Sequence, residues 1–248
     1  MNKILALWAT PRSTSTVFEK VMANRGDMRC FHEPYNEAYY YGADRRHDRY
    51  YNADPSLSVK HELSIASVHS DLTTLAENEQ VFIKDFAYSV AHMADDTFLD
   101  TFTHTFLIRD PDKVITSLHA RFPDVTLPEI GFEELHTLYK RVADREGKAP
   151  LVIDSDELLA APEAGMHAYC EALGIPFIAD ALQWQKSDKN PTWNNDEQGF
   201  HDALKSSTKL APQKRDYPAL DTSADMLRLY EASLPHYQAL REQRLIFT

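Results

Sequence analysis

Hydroxyl side chains and an arginine follow the first apolar run of this sequence. Residues 3–9 read KILALWA, and residues 11–16 then read PRSTST before an amphipathic stretch begins. A strand that ends at about Ala9, followed by a helix that starts within 13–16, would aim backbone N–H groups and the positive helix end at one spot. Arg12 adds a forked donor that suits phosphate or sulfate oxygens. The pattern predicts an anion-binding turn; the alternative is an ordinary helix start, at which serine and threonine are favoured caps.

A second strand, turn and helix pattern occupies residues 105–122, TFLIRDPDKVITSLHARF. Arg109 closes the predicted strand, Asp110 and Pro111 open the helix, and Ser117 follows two turns later. The alternative is a solvated helix start, in which Asp110 favours the helix dipole and Arg109 pairs with it. Neither turn has the glycines and the Lys-Ser/Thr pair of a Walker A loop.

Together, PRSTST and RDPxxxxxS resemble the two signature turns of sulfotransferases that use 3′-phosphoadenosine 5′-phosphosulfate. The resemblance implies that the first turn binds the 5′-phosphosulfate, through Arg12, Ser13, Thr14, Ser15 and Thr16. It implies that Arg109 and Ser117 bind the 3′-phosphate. Members of this family usually carry glycine where this chain has Thr14, so the loop must turn here with a β-branched residue.

The resemblance extends into the second half of the chain. Residues 151–177 and 184–212 look like the corresponding part of bacterial and fungal members, in which a late loop with Trp, Lys and a Ser-Thr pair covers the nucleotide. On this basis Ser207 and Thr208 are expected at the nucleotide site.

Three residues are candidates for the chemistry of transfer. Lys84 in VFIKDFAY stands where the family often has a basic residue that faces the sulfonate, although a lysine snorkelling at a strand end is the alternative. His32 and Glu33 in CFHEPY follow the second predicted strand, and the alternation of strand side chains predicts that one of the two enters the site. Members that use a histidine base carry it where this chain has Phe86. The resemblance therefore favours Glu33 as the base, with His32 second, whereas a solvated Glu33 at a strand end remains the structural alternative.

Elements with a regular alternation must position these residues. The predicted strands are 3–9, 28–32, 80–84, 103–109 and 149–154, and the predicted helices are about 15–25, 62–77, 111–120, 132–146, 162–174 and 223–243. Continuous apolarity is typical of strands covered on both faces. We therefore predict an α/β fold of three layers, a central and mostly parallel sheet flanked by helices, which the resemblance implies is P-loop NTPase-like.

One domain over residues 1–248 accounts for the length and for the hydrophobic content of 43%. Two segments, 34–58 and 184–218, interrupt the alternation of strands and helices. Long irregular segments in an α/β domain often form lids or binding loops. Both segments are therefore expected to be irregular and to cover an acceptor or a nucleotide.

The composition excludes several classes of protein. The 26 basic and 38 acidic residues give a net charge of −12, which opposes nucleic-acid binding. Cys30 and Cys170 suggest neither a disulfide framework nor a metal site, the histidines lack zinc-site spacing, and no apolar run is long enough to span a membrane. The apolar start of the chain is read as a buried strand rather than a signal peptide. A cytoplasmic protein without a metal is expected.

The predicted activity is transfer of a sulfuryl group from 3′-phosphoadenosine 5′-phosphosulfate to a hydroxyl or amine of a small-molecule acceptor. A nucleotide kinase or NTPase is one alternative, for which Asp154 at a strand end could bind Mg²⁺ although the Walker lysine is absent. A non-catalytic protein that binds the nucleotide or a partner is the other. The orientation of Glu33, His32 and Lys84 distinguishes catalysis from binding alone.

Overall fold

Five short apolar segments form one parallel sheet in the computed structural model, which describes residues 3–186, 207–212 and 217–247. Within these residues the strand order is β2-β3-β1-β4-β5, and every pairing is parallel. The strands are β1 (Ile4–Ala9), β2 (Arg29–His32), β3 (Val81–Phe86), β4 (Phe102–Ile108) and β5 (Leu151–Asp154). The predicted three-layer α/β fold is confirmed.

Helices connect the strands and cover both faces of the sheet. They are α1 (Ser15–Asn24), α2 (Pro34–Tyr41), α3 (Arg49–Ala53), α4 (Ile65–Ala76), α5 (Asp96–Asp100), α6 (Pro111–His119), α7 (Leu127–Ile130), α8 (Phe132–Glu146), α9 (Ser155–Ala160), α10 (Pro162–Leu173) and α11 (Ala224–Glu242). Short 3₁₀ turns lie at Ala87–Ser89, Ala179–Leu182 and Leu220–Thr222. No helix in the described part of the chain is long and apolar enough to cross a membrane.

Two hydrophobic cores explain why the strands are apolar at every position. Ile4, Ala6 and Trp8 of β1 pack on one face, in a cluster with residues of α4 and α8. Leu5 and Leu7 pack on the other face, in a cluster with residues of α1, α9 and α10. Because both faces are buried, no polar alternation remains in the strand sequence.

The segment 34–58 is less irregular than its composition predicts, since α2 and α3 lie within it. Pro34 occupies the first turn of α2, and the carboxylate of Asp85 on β3 accepts hydrogen bonds from the backbone N–H groups of Tyr35 (2.6 Å) and Asn36 (3.2 Å). The cap of α2 thus comes from a different element. A local reading of the sequence cannot recognise such a cap, so the prediction of an irregular segment was wrong here.

Parallel pairing brings several strand ends to one edge of the sheet. β1 lies between β3 and β4, and Ala9 at its end is in register with Phe86 and Leu107. The turn after β1 therefore lies beside the turn after β4. His32 at the end of β2 is in register with Lys84.

Candidate active site

The two predicted phosphate turns meet at this edge. Arg12 Nε donates to Ser117 Oγ at 2.9 Å, and Arg109 Nη1 donates to the backbone oxygen of Arg12, also at 2.9 Å. The arginine of each turn is thereby tied to the other turn. Residues about a hundred positions apart in sequence form one cluster.

The hydroxyls of the first turn divide into two groups. Ser13 is fully buried, and its Oγ donates to the backbone oxygen of Thr10 at 2.6 Å, so this side chain holds the turn together. Thr14, Ser15 and Thr16 line the adjacent cavity. The prediction that all of these hydroxyls face a ligand is therefore not matched at Ser13, whose hydroxyl points inward.

Backbone conformation makes Thr14 unusual. Its φ of 66° and ψ of 15° are left-handed, and its side chain makes no capping hydrogen bond to α1. A β-branched residue in this region carries a steric cost that glycine avoids. The absence of glycine, noted in the sequence, thus places a β-branched residue in a left-handed conformation.

We expect Thr14→Gly to raise the free energy of unfolding by up to about 1 kcal/mol, because relief of the left-handed strain exceeds the added entropy of the unfolded chain. Urea denaturation measures this change. Thr74→Gly, on the exposed side of α4, is the matched control and should lower stability by a few tenths of a kcal/mol, roughly. A loss at Thr14 similar to that at Thr74 would contradict the strain.

A cavity of about 1070 Å³ opens above the carboxyl edge of the sheet. Its first wall consists of residues from both turns, namely Arg12, Thr14, Ser15, Thr16, Arg109 and Ser117. Arg109 Nε is buried and makes no hydrogen bond with any described residue; Asp156 Oδ1 lies 3.6 Å away. A buried donor left in this state at a cavity wall is suited to an anionic ligand.

His32 and Glu33 both line the cavity, whereas strand alternation predicts that only one of them does. The reason is the backbone of Glu33, which has left β2 and adopts φ 49° and ψ 47° just before α2. This turn brings the carboxylate back beside the imidazole, and His32 Nε2 lies 3.5 Å from Glu33 Oε1.

Lys84 lies behind this pair. It occurs within β3, which continues to Phe86, and its side chain is completely buried. Its Nζ binds Glu33 Oε1 and lies 3.8 Å from Glu19 Oε2. Lys84 does not line the cavity, so in this conformation its ammonium group would not contact a ligand bound there.

Glu19 is a residue that we did not select from the sequence. It is fully buried on α1, and its Oε2 lies 2.6 Å from His32 Nδ1. A signal was available, because Glu19 falls on the same face as the core residues Phe18 and Met22. A carboxylate at a core position of an amphipathic helix is rarely without a partner.

An aromatic wall closes the other side of the cavity. It comprises Tyr40, Tyr41, Tyr50, Phe86, Tyr88 and Phe122. The rings of Tyr40 and Tyr50 meet edge to face at 4.9 Å, and burial raises the pKa of both phenols. These hydroxyls therefore stay protonated and neutral at physiological pH.

Arg49 joins the aromatic wall to α7. Its Nη2 donates to Glu129 Oε2 at 2.7 Å, and its Nη1 donates to Asp124 Oδ1 at 2.7 Å. Burial alone would raise the pKa of Glu129, but hydrogen bonds from Arg49 and Thr126 lower it below its ordinary value. A charged pair thus anchors α3 at the rim of the cavity.

The late loop meets the cavity at other residues than expected. Ser207 and Thr208 do not line it, and the backbone oxygen of Thr208 accepts from Trp184 N at 2.9 Å. The described residues of this loop that do line the cavity are Ala211, Pro212, Tyr217 and Pro218. Residues 187–206 and 213–216 of the predicted lid 184–218 lie outside the described residues.

Known proteins that are similar to this chain include one solved structure and two curated relatives. A solved structure titled "Sulfotransferase Domain from the Curacin Biosynthetic Pathway" superposes on 94% of this chain and 97% of its own, with 14% identity and a TM-score of 0.49. Two curated Arabidopsis thaliana proteins, branched-chain-amino-acid aminotransferase-like proteins 2 and 1, are 28% identical over 247 and 242 residues. Each alignment covers 96% of this chain, which spans only 41% and 42% of those relatives.

The family comparison covers nearly the whole chain. The family model described as "Sulfotransferase domain" matches residues 2–244, a range that includes both predicted phosphate turns and every residue of the cavity wall described above. The chain belongs to this sulfotransferase family.

Proposed function

We propose that this sulfotransferase moves a sulfuryl group from 3′-phosphoadenosine 5′-phosphosulfate to a hydroxyl or amine of a small-molecule acceptor. The observation that carries the proposal is the joining of the two turns, through Arg12, Ser117 and Arg109, on the wall of a cavity that Glu33 and His32 also line. Anion-binding groups and proton-accepting groups therefore face one space.

The residues of the first wall fit such a donor. Ser15 and Thr16 start α1, whose N-terminal N–H groups favour an anion, and Arg12 adds a fixed positive charge. Arg109 and Ser117 form a second anion site, and the Nε of Arg109 is a buried donor without a hydrogen bond in the described chain. The donor molecule supplies an activated sulfuryl group, bonded to a phosphate that leaves readily. Arg12 and the α1 amides would stabilise charge as it develops on that phosphate.

Proton removal from the acceptor needs a base at the same cavity. His32 and Glu33 both line this cavity, and their side chains are respectively 13% and 17% exposed, so a molecule bound in the cavity can reach them. Lys84, buried behind Glu33, supports the charge of that carboxylate. Its proposed role is thus electrostatic and indirect.

The aromatic wall favours an acceptor with a flat apolar portion. Tyr40, Tyr50 and Phe122 present ring surfaces next to the Arg49–Glu129 pair, and such rings stack on planar groups. Segment 34–58 supplies much of this wall, which supports its role as an acceptor-binding segment. We propose a small acceptor bound by stacking, with its reacting hydroxyl or amine near His32 and Glu33.

The kinase alternative loses support at Asp154. This carboxylate is 3% exposed, caps α9 by accepting from the N–H groups of Asp156 and Glu157, and also accepts from the Tyr237 hydroxyl at 3.1 Å. It does not line the cavity. The strand-end carboxylate that could bind Mg²⁺ in such an enzyme is therefore occupied elsewhere.

Thermal unfolding of the purified protein tests the donor site. Adenosine 3′,5′-bisphosphate at about 100 times its dissociation constant should stabilise the native state by roughly 2.7 kcal/mol and raise Tm by several degrees, whereas ATP with Mg²⁺ should have little effect. A shift with ATP and Mg²⁺ alone would support a kinase instead. A shift with neither ligand would contradict the donor site.

Transfer is measured with ³⁵S-labelled donor and a panel of phenols, alcohols and amines. We expect labelled product from at least one planar acceptor. Bisphosphate binding without transfer to any member of the panel would contradict the proposed activity and support a protein that only binds the nucleotide.

A further inference from the structure

A buried carboxylate, Glu19, lies on the far side of His32 from the cavity. We propose that Glu19 is a positioning residue that holds His32 with Nε2 toward the acceptor, so that His32 and not Glu33 takes the acceptor's proton. This inference rests on the proposed function and deepens it, since the sequence alone favours Glu33. It is carried by the contacts of four side chains: Glu19, His32, Glu33 and Lys84.

The contact with Glu19 sets the orientation of the His32 imidazole. Glu19 Oε2 lies 2.6 Å from His32 Nδ1, and Lys84 Nζ lies 3.8 Å from the same oxygen. An ionised carboxylate only accepts hydrogen bonds, so with Glu19 ionised this contact requires a proton on Nδ1, and in the neutral imidazole the lone pair is then on Nε2. A completely buried partner also restricts the rotation of the ring.

Glu33 is the competing base, and both of its carboxylate oxygens have hydrogen-bond partners. Glu33 Oε1 binds Lys84 Nζ, and Glu33 Oε2 accepts from Asn36 Nδ2 at 3.0 Å. Hydrogen bonds to both oxygens stabilise the unprotonated carboxylate and reduce its tendency to accept a proton. His32, in contrast, lines the cavity, and its Nε2 is the ring nitrogen that Glu19 does not contact; Glu33 Oε1 lies 3.5 Å from this nitrogen.

The net charge of these four side chains, which we call the cluster, changes when His32 takes up a proton. Glu19 and Glu33 are two carboxylates, and Lys84 is the ammonium group that contacts both of them. When His32 is neutral, these four side chains carry a net charge of −1. Proton uptake by His32 brings the sum to zero in a largely buried setting, where an uncompensated charge is costly. The positive charge that the reaction places on His32 is therefore balanced within the cluster.

The bond changes of the proposed step balance. The acceptor oxygen or nitrogen forms a bond to sulfur while the bond from sulfur to the bridging phosphate oxygen breaks. The proton of the acceptor moves to His32 Nε2, and adenosine 3′,5′-bisphosphate leaves with the electron pair of the broken bond. Glu19 keeps its charge throughout and accepts from Nδ1–H of the imidazolium, as a carboxylate does in a carboxylate–histidine pair.

The test without an acceptor is the tautomer of His32, read from ¹⁵N-labelled histidine in the chain with adenosine 3′,5′-bisphosphate; His32→Asn identifies the signal. We expect Nδ1–H in the unsubstituted chain. In Glu19→Met we expect a mixture with Nε2–H, because methionine has a volume similar to that of glutamate but cannot accept this hydrogen bond. Glu134→Gln on α8, a carboxylate outside the cavity lining, is the matched control and should leave the tautomer unchanged. A pure Nδ1–H signal in Glu19→Met would overturn the proposal.

The test with turnover is a double-mutant cycle, using an acceptor found with the labelled donor. His32→Asn should lower kcat by about 10²- to 10⁴-fold, and Glu19→Met should do so by about 10²-fold, with bisphosphate affinity retained. Because Glu19 acts through His32, the double variant should be no slower than His32→Asn. Multiplied losses would mean a separate structural role for Glu19. If Glu19→Met does not fold, Glu19→Gln replaces it in this cycle.

The same assay compares the two candidate bases. Glu33→Gln should lower kcat by less than roughly 10-fold, whereas His32→Asn should lower it by at least about 10²-fold. The opposite order would assign the proton to Glu33 and overturn the inference while leaving the proposed function intact. An unsubstituted chain that binds no bisphosphate and transfers nothing would instead contradict the proposed function, and the tautomer would still decide the Glu19–His32 contact.

Discussion

Arg109→Ala should weaken binding of adenosine 3′,5′-bisphosphate by about 10- to 100-fold and binding of adenosine 5′-monophosphate by far less, because hydrogen bonds to charged groups contribute about 1.5–3 kcal/mol. Arg109 follows β4, and its buried Nε has no hydrogen bond within the described residues. We assign this donor to the 3′-phosphate, which only the bisphosphate carries. Titration calorimetry with both ligands measures the difference.

The second ligand is needed because Arg109 has another contact. Its Nη1 donates to the backbone oxygen of Arg12, so the substitution also loosens the first turn, and adenosine 5′-monophosphate reports that loosening by itself. Lys140→Ala, an exposed cation on α8 outside the cavity lining, serves as the control for a lost positive charge. Equal losses for the two ligands in Arg109→Ala would refute the 3′-phosphate assignment.

Lys84→Met should lower the free energy of unfolding by about 3–5 kcal/mol, since removal of one member of a buried ion pair leaves the remaining charge uncompensated. Here the substitution removes the ammonium group that contacts two carboxylates, Glu33 and the fully buried Glu19. Methionine has nearly the volume of lysine, so a packing defect contributes little. Urea denaturation monitored by circular dichroism measures the loss.

An exposed lysine provides the comparison. Lys60 pairs with Glu37, its side chain is 43% exposed, and Lys60→Met should cost less than about 1 kcal/mol. Adding Glu19→Gln to Lys84→Met should restore part of the lost stability, because it removes one of the two negative charges that Lys84 otherwise compensates. If Lys84→Met were as mild as Lys60→Met, or if the double variant were less stable than Lys84→Met, the buried network would not carry the charges described here.

The sequence by itself determined the five strands, six of the helices and the position of the two turns that are predicted to bind phosphate. The strand and helix bounds agree with prediction to within about three residues, as at β1, α6 and α8. Continuous apolar runs, the Pro111 helix start and the left-handed glycine after α8 are local signals, and they need no knowledge of neighbouring elements. Parallel connections place the carboxyl ends of the strands at one edge, whereas the strand order was seen only in the structure.

Tertiary structure alone decided which side chains face the cavity. Asp85 caps α2 from β3, and the left-handed turn at Glu33 brings this residue beside His32 against the alternation of the strand. Lys84 is buried behind the pair, and Glu19 reaches it from α1. Each of these contacts joins residues from different elements, and their directions depend on a few backbone angles and on burial. A local sequence pattern shows which residues a segment contains and the spacing at which its apolar residues recur. The partner of a buried charged residue depends instead on how the elements pack together.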